Sequence, residues 1–440
     1  MRVCIVRSLV ATGLSMCLAV SSILDAGIRS RARFRAHSRA ARPSASRPNR
    51  NAWTTVHAFL FRPIAIAGLA WCVDARAEPS DADIIGSDPG WRIEDFELRT
   101  SYLDQTGHGF QSQDGEPPGG EDMWVVQPSA SMTLRQSARV VHKIALPIDA
   151  ITAASPDAVD ATTSASRNNV AGDFDVRTAI TMSDRDTLTT RVVLHAEEWI
   201  GGGTIGAGWK RSLADDNATL SANATFGVDV FDDHNHRGDF LGKTARATGS
   251  LHLAGSQLLS PTTVVDASYG ATFQRGTLRT GWNAVPVDDG TYADEILPHR
   301  RLRHALAAGL AQHLPRTRST VKARYRFYAD DFGLRAHAID ATVYQYLVGW
   351  LYVRGNYRFY SQNGAEFFTT EIPAGAAVDQ LRTADSDLAP MRAHEYGLEL
   401  ATVRGRGPLR RWSVSAEVFR YTRSNDLTIT VAALGVGRTL

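Results

Sequence analysis

Polarity that switches at every second residue, sustained over runs of about ten to fourteen residues, dominates the chain from Trp91 to its end. In Val321 to Tyr328, residues Val321, Ala323, Tyr325 and Phe327 share one face, while Lys322, Arg324, Arg326 and Tyr328 share the other. Leu351 to Tyr360 repeats the pattern, with Leu351, Val353, Gly355, Tyr357 and Phe359 set against Tyr352, Arg354, Asn356, Arg358 and Tyr360. Phe96, Leu98, Thr100 and Tyr102 likewise oppose Asp95, Glu97, Arg99 and Ser101. Faces of this kind need an apolar medium on one side and water on the other. Soluble strands average about five or six residues, whereas strands that cross a bilayer need about nine to eleven. The long runs therefore favour spanning strands.

Read this way, the alternation predicts strands at 92–103, 123–135, 138–149, 171–182, 187–200, 203–212, 218–230 and 243–254. Eight more follow at 261–274, 301–313, 319–329, 335–347, 351–362, 393–404, 411–423 and 427–438. The intervening segments sort by length. Gln136-Ser137, Ser183 to Asp186, Leu213 to Asn217, Pro315 to Arg318 and Gly405 to Pro408 are short, and the long connections at 104–122, 150–170, 275–300 and 363–392 all alternate with them. Short turns on one rim and long loops on the other are the asymmetry of outer-membrane barrels. The predicted fold is thus all-β, a transmembrane antiparallel up-and-down barrel of about sixteen strands. The alternative is a secreted soluble β-sandwich that binds surface glycans. Aromatic residues such as Tyr325, Tyr344, Tyr346, Trp350, Tyr352 and Tyr357 are candidates for interfacial girdles. At the C-terminus Leu434, Val436 and Leu440 keep the alternation, and Arg438 breaks it.

Charge divides the chain. The first 77 residues contain twelve arginines and two acidic residues, leaving 36 basic against 44 acidic residues in the body, a net charge near −8. An acidic body argues against nucleic acid as a partner. The N-terminal region reads as targeting sequence: an apolar stretch from Leu9 to Leu24, an Arg-rich and compositionally disordered segment from Arg29 to Arg50, and a second apolar stretch from Phe59 to Val73 before the small-x-small site Ala75-Arg76-Ala77. Residues 78–90 are expected to form a periplasmic linker, and 91–440 the barrel. Cys4, Cys17 and Cys72 all precede residue 78, so disulfides, thiolate catalysis and cysteine metal sites are excluded from the body. The expected location is the bacterial outer membrane, with its lipid and the barrel assembly machinery as partners.

The run Asp149-Ala150-Ile151-Thr152-Ala153-Ala154-Ser155-Pro156-Asp157 resembles a segment typical of a bacterial family catalogued as domain of unknown function 3570. The resemblance departs from the family's pattern at Ala153, where a glycine is expected, and Glu197-Glu198-Trp199 matches an acidic-aromatic signature only loosely. It implies a signal-bearing outer-membrane barrel and brings no activity or cofactor with it.

Three sets of residues carry candidate chemistry. Asp149, Thr152, Ser155, Pro156 and Asp157 lie in a small, polar segment that either folds inward to narrow the lumen or simply ends a strand with a turn at Ser155-Pro156. Arg301, Arg303, Lys322, Arg324, Arg326, Arg354 and Arg358 are expected on one lumenal wall, with Glu97, Glu197, Glu399, Glu417 and Asp95 on other strands. Opposed walls create a transverse field that selects solutes by charge; adjacent charges instead neutralise one another. Asp232-Asp233-His234-Asn235-His236 reads as a solvated turn, because its spacing matches no closed metal motif. No metal or cofactor is expected. A lipid hydrolase borne on the barrel would have Ser155 and His195 as its only nucleophile and base, with Pro156 unfavourable to the former. The chain is therefore read as a non-enzymatic solute pore or transport and binding protein.

Overall fold

A computed structural model describes residues 90–107, 122–153, 170–197, 199–279 and 283–440. The targeting region, nearly all of the linker, and Ser155, Pro156 and Asp157 of the candidate constriction lie outside them. The strands are β1 (Arg92–Gly107), β2 (Met123–Arg135), β3 (Val140–Ala153), β4 (Val170–Thr181), β5 (Asp186–Ala196) and β6 (Ile200–Leu213). They continue with β7 (Ala218–His234), β8 (Phe240–Ser260), β9 (Thr263–Gly276), β10 (Ala284–Pro286), β11 (Tyr292–Asp294) and β12 (Arg300–Leu314). The last are β13 (Ser319–Asp330), β14 (Arg335–Val348), β15 (Leu351–Gln362), β16 (Met391–Thr402), β17 (Trp412–Arg423) and β18 (Leu427–Thr439).

All but β10 and β11 join one closed antiparallel barrel in which sequence neighbours pair, and β1 closes the ring on β18. Closure leaves no free edge, which is the condition for strands to cross hydrocarbon. An open sandwich is excluded. Each of the sixteen segments expected from alternation is a barrel strand. The main differences are at the ends: β8 runs to Ser260, and β3 continues to Ala153. Asp149 and Thr152 therefore belong to a strand, opposite Ala171 and Trp124 respectively, and not to a constriction loop.

The barrel's apolar side chains face outward. Leu98, Ile205, Leu306, Ile339, Leu398 and Leu434 are all more than half exposed on the outer surface, an arrangement that only lipid makes favourable. Arg438 keeps the outward parity of Leu434 and Val436, and its guanidinium lies 5.3 Å from the centre of the Trp412 ring at the short-turn rim. A lipid-facing arginine costs about 2–4 kcal/mol at the bilayer midplane and about 0–1 kcal/mol near the interface. Its position at the strand end makes it tolerable. Toward the long-loop rim, outward tyrosines pair with outward histidines on the next barrel strand: Tyr269 with His304 at 2.8 Å, Tyr325 with His337 at 2.6 Å and Tyr357 with His394 at 3.0 Å.

Dry apolar packing is concentrated in the long loops. Phe332, Leu334, Ala365 and Leu388 form one buried cluster; Val285, Ile372 and Ala384 form another around the β10–β11 hairpin. Bridges Val287–Ile372 and Ile296–Arg382 stitch 283–299 to 363–390, and Phe368–Thr383 folds the second segment back on itself. This cap rests on the inner wall at the loop rim. Gln362 donates to the carbonyls of Asp387 and Ala389 at 2.9 and 2.6 Å, and Asn425 donates to the carbonyl of Ser386 at 3.0 Å. Ala336, Ala338 and Ala393, small inward residues beneath it, are buried. The cap encloses Asp385, whose carboxyl is raised well above the usual range, first by burial and then by the nearby carboxylates of Asp387 and Glu295.

Candidate functional site

Inward positions of neighbouring strands bring five of the expected cations together. Lys322, Arg324 and Arg326 of β13 and Arg354 and Arg358 of β15 line one lumenal cavity of about 620 Å³, along with Asp266, Asp340, Glu395, Glu417 and Tyr344. The period of two places these residues inside, and register decides which of them meet. Arg358 stands directly opposite Asp340 on one side and Glu395 on the other, and its guanidinium bonds to both, at 2.5 and 3.2 Å. Asp340 also takes Arg326 at 3.0 Å. Arg354 lies opposite Glu399, at 2.9 Å, and reaches past it to Glu417 at 2.5 Å. Arg99 of β1 holds the other oxygen of Glu417 at 2.8 Å.

Arg324 meets Asp266, two strands away, at 2.5 Å, and a glycine makes this contact possible. Gly309 of β12 is the register partner of both, and a Cβ on it would press into the Asp266 carboxylate. Lys322 points into the same cavity with its ammonium 4.8 Å from the centre of the Tyr344 ring, a cation–π contact. Among the described residues no ion pair engages it.

The other expected lumenal charges lie elsewhere. Arg301 is held by Asp330 at 2.6 Å and stacks over Phe332, its guanidinium 4.4 Å from the ring centre, so it anchors the cap to β12. Arg303 follows on the same face, half-buried and opposite Asp330. Glu197 is almost wholly buried, 3.4 Å from His195, whose other ring nitrogen meets Asp173 at 2.6 Å. Glu97 faces inward opposite Ser131 and Gly437, and Asp95 pairs with Arg404 at 3.2 Å. Glu399 and Glu417 thus stand beside Arg354 and not across the lumen from it. Side-by-side neutralisation, one of the two arrangements anticipated, is what this part of the wall displays.

The tip that reads as a solvated turn is tied down. Arg279 clasps both oxygens of Asp233 at 2.7 and 2.8 Å, and Asp294 of β11 accepts from the His236 backbone N–H at 2.8 Å and meets its ring at 2.6 Å. Burial would raise the Asp294 carboxyl, but these two bonds from His236 outweigh it and hold the group below the usual range. Asp266, Asp340 and Glu395 were not singled out from sequence. Their signal was available: each is an acidic residue at inward parity on a strand next or next but one to an inward arginine.

A family model described as a protein of unknown function, DUF3570, matches residues 210–435, just over half of the chain. The chain belongs to the DUF3570 family. The matched span contains every residue lining the 620 Å³ cavity, whereas the segment from Asp149 to Asp157, which carries the resemblance in sequence, lies before it. No curated protein matches this DUF3570 member. Among solved structures it is similar to the outer membrane protein opdK from Pseudomonas aeruginosa, at 10% identity and a TM-score of 0.40, covering 79% of this chain and 98% of that one. It is also similar to Acinetobacter baumannii OccAB4, at 9% identity and a TM-score of 0.41 over 80% and 98% of the two chains. A BenF-like porin from Pseudomonas fluorescens Pf-5 gives 8% identity and a TM-score of 0.42 over 79% and 99%.

Proposed function

We propose that this DUF3570 protein is an outer-membrane channel through which small polar solutes pass, a passive conduit with no reaction of its own. The observation that carries the reading is the lumenal cavity of about 620 Å³, within the range of small-molecule sites, whose wall is a ladder of guanidinium–carboxylate pairs. Such a wall offers hydrogen-bond donors and acceptors of both signs, so a solute can exchange its hydration for wall contacts step by step. Lys322 adds a positive charge that no carboxylate among the described residues pairs with, which favours anionic or zwitterionic solutes over cations. In this reading the N-terminal segment delivers the chain to the periplasm, and the barrel assembly machinery inserts it.

The test is electrical. Purified protein added to planar bilayers under a salt gradient is expected to give stepwise conductance and a reversal potential displaced toward anions. Lys322→Gln should bring the reversal potential toward zero while leaving the steps intact. Protein that enters the bilayer without conducting, in the presence or absence of the cap, would sink the channel reading.

A further inference from the structure

The long-loop rim carries cations on its outer surface, and they are not distributed evenly. Arg275 is the penultimate residue of β9, Arg300 opens β12, Arg335 opens β14, Arg392 is second in β16 and Arg420 lies three residues from the end of β17. Each shares parity with an exposed apolar residue on its own strand: Phe273, Leu302, Ile339, Tyr396 and Val418. All five arginines therefore face the bilayer side, and all are exposed. Arg275 and Arg300 are direct register partners, so two like charges occupy facing positions on adjacent strands. Among the described residues none of the five has an ion pair.

The same arc repeats a unit. In β12, β14 and β16 the outward arginine is followed two to four residues later by an outward histidine, His304, His337 or His394, bonded to an outward tyrosine of the preceding barrel strand. Each unit has a cation at headgroup height and a polar-tipped aromatic pair just beneath it, where acyl chain gives way to headgroup. The opposite arc lacks the unit. On the described loop-side ends of β1, β2 and β5 to β8, the outward residues include Asp104, Trp124, Leu194 and Val230, and the outward cation Lys243 is already paired with Asp232.

We infer that the arc from β9 to β17 is a binding surface for the phosphate groups of a phosphorylated lipid in the outer leaflet. Unpaired, adjacent guanidiniums facing lipid repel one another and need counter-charge, and phosphate oxygens supply it with bidentate geometry. A zwitterionic headgroup carries its own cation beside the phosphate and brings no net negative charge, and a neutral one brings none at all, so both relieve the repulsion less. The inference rests on the membrane reading but not on conduction.

The experiment uses the whole protein in phosphatidylcholine vesicles doped with lipid A, a phosphorylated glycolipid, or with enzymatically dephosphorylated lipid A. Lipid retained after detergent extraction is counted by native mass spectrometry. Wild type is expected to retain the phosphorylated form selectively. The double variant Arg275→Gln with Arg300→Gln and the single variant Arg420→Gln should weaken retention by about fivefold for each arginine removed. Among the described residues these side chains make no hydrogen bond or ion pair whose loss would unfold the barrel, and heat-modifiable migration checks that each variant is folded. A chain that inserts yet holds both lipids equally, or variants that hold the phosphorylated lipid as wild type does, overturn the lipid surface alone. A chain that never enters vesicles overturns the membrane reading beneath it.

Discussion

Arg354 separates two carboxylates that stand opposite each other: Glu399 and Glu417 are register partners, and the one guanidinium contacts both, at 2.9 and 2.5 Å. Like charges directly opposed across strands are destabilising. Arg354→Gln should therefore turn a neutralised patch into a negative one. The expected outcome is a reversal potential shifted toward cations, with barrel stability lowered by about 1 kcal/mol, the scale of a partly solvated pair. An unchanged ion preference in bilayer recordings would show that the patch does not face the permeation path.

Phe332 is the largest buried side chain of the larger cap cluster and also receives Arg301 on its ring face. Phe332→Ala removes a buried aromatic side chain, a change that costs about 3–5 kcal/mol in a well-packed core. The loss should fall on the cap, because the backbone ladder of the barrel does not depend on it. Limited proteolysis is expected to cut within 363–390 while the gel shift on boiling stays as in wild type.

Asp385 gives the cap a pH response. Its folded-state pKa is raised, so the proton is bound more tightly in the packed cap than in the open loop. Stability from this group is full at acidic pH and is lost as pH rises through the raised value. The cap should protect 363–390 from protease best at acidic pH and progressively less above the usual carboxylate range. Asp385→Asn, which mimics the protonated form, should flatten that profile. A profile that steepens instead would mean that the charged form is the one the cap prefers.

The His236–Asp294 contact responds in the opposite direction, since Asp294 is held below the usual carboxylate range. The contribution of this carboxyl is full above the usual carboxylate range and is lost as pH falls through the lowered value. Asp294→Asn should speed amide exchange at 235–239 near neutrality, while the strands beneath keep their protection.

Gly407 adopts a φ of +70° in the turn between β16 and β17, and a Cβ there would collide with the Trp350 ring. An L side chain in that conformation costs roughly 1–2 kcal/mol before any clash. Gly407→Ala is expected to slow refolding into detergent micelles, followed by tryptophan fluorescence, by more than Gly349→Ala, whose Cβ would enter open space.

The ring was legible in the sequence because its rule is local. Alternation needs no knowledge of partners, and β2 and β15 were located to the residue because Gln136-Ser137 and Gly349-Trp350 interrupt it sharply. β8 was underestimated because Gly255, Ser256 and Gln257 blur the contrast, while pairing with β7 and β9 extends it. The cap was not legible. β10 and β11 have three residues each, too few to express a period, and Phe332, Leu334 and Leu388 meet only through tertiary packing. At the site, parity identified the arginines, but which carboxylate each one meets depends on strand register, and Arg324 reaching Asp266 over Gly309 depends on a missing side chain.

The cap's apolar contacts come almost entirely from three connecting segments, 283–299, 331–334 and 363–390, and the staves of the barrel are held by backbone hydrogen bonds that do not depend on those contacts. The two can therefore fail separately: damage to the fitting at the loop rim leaves the closed ring of sixteen staves standing.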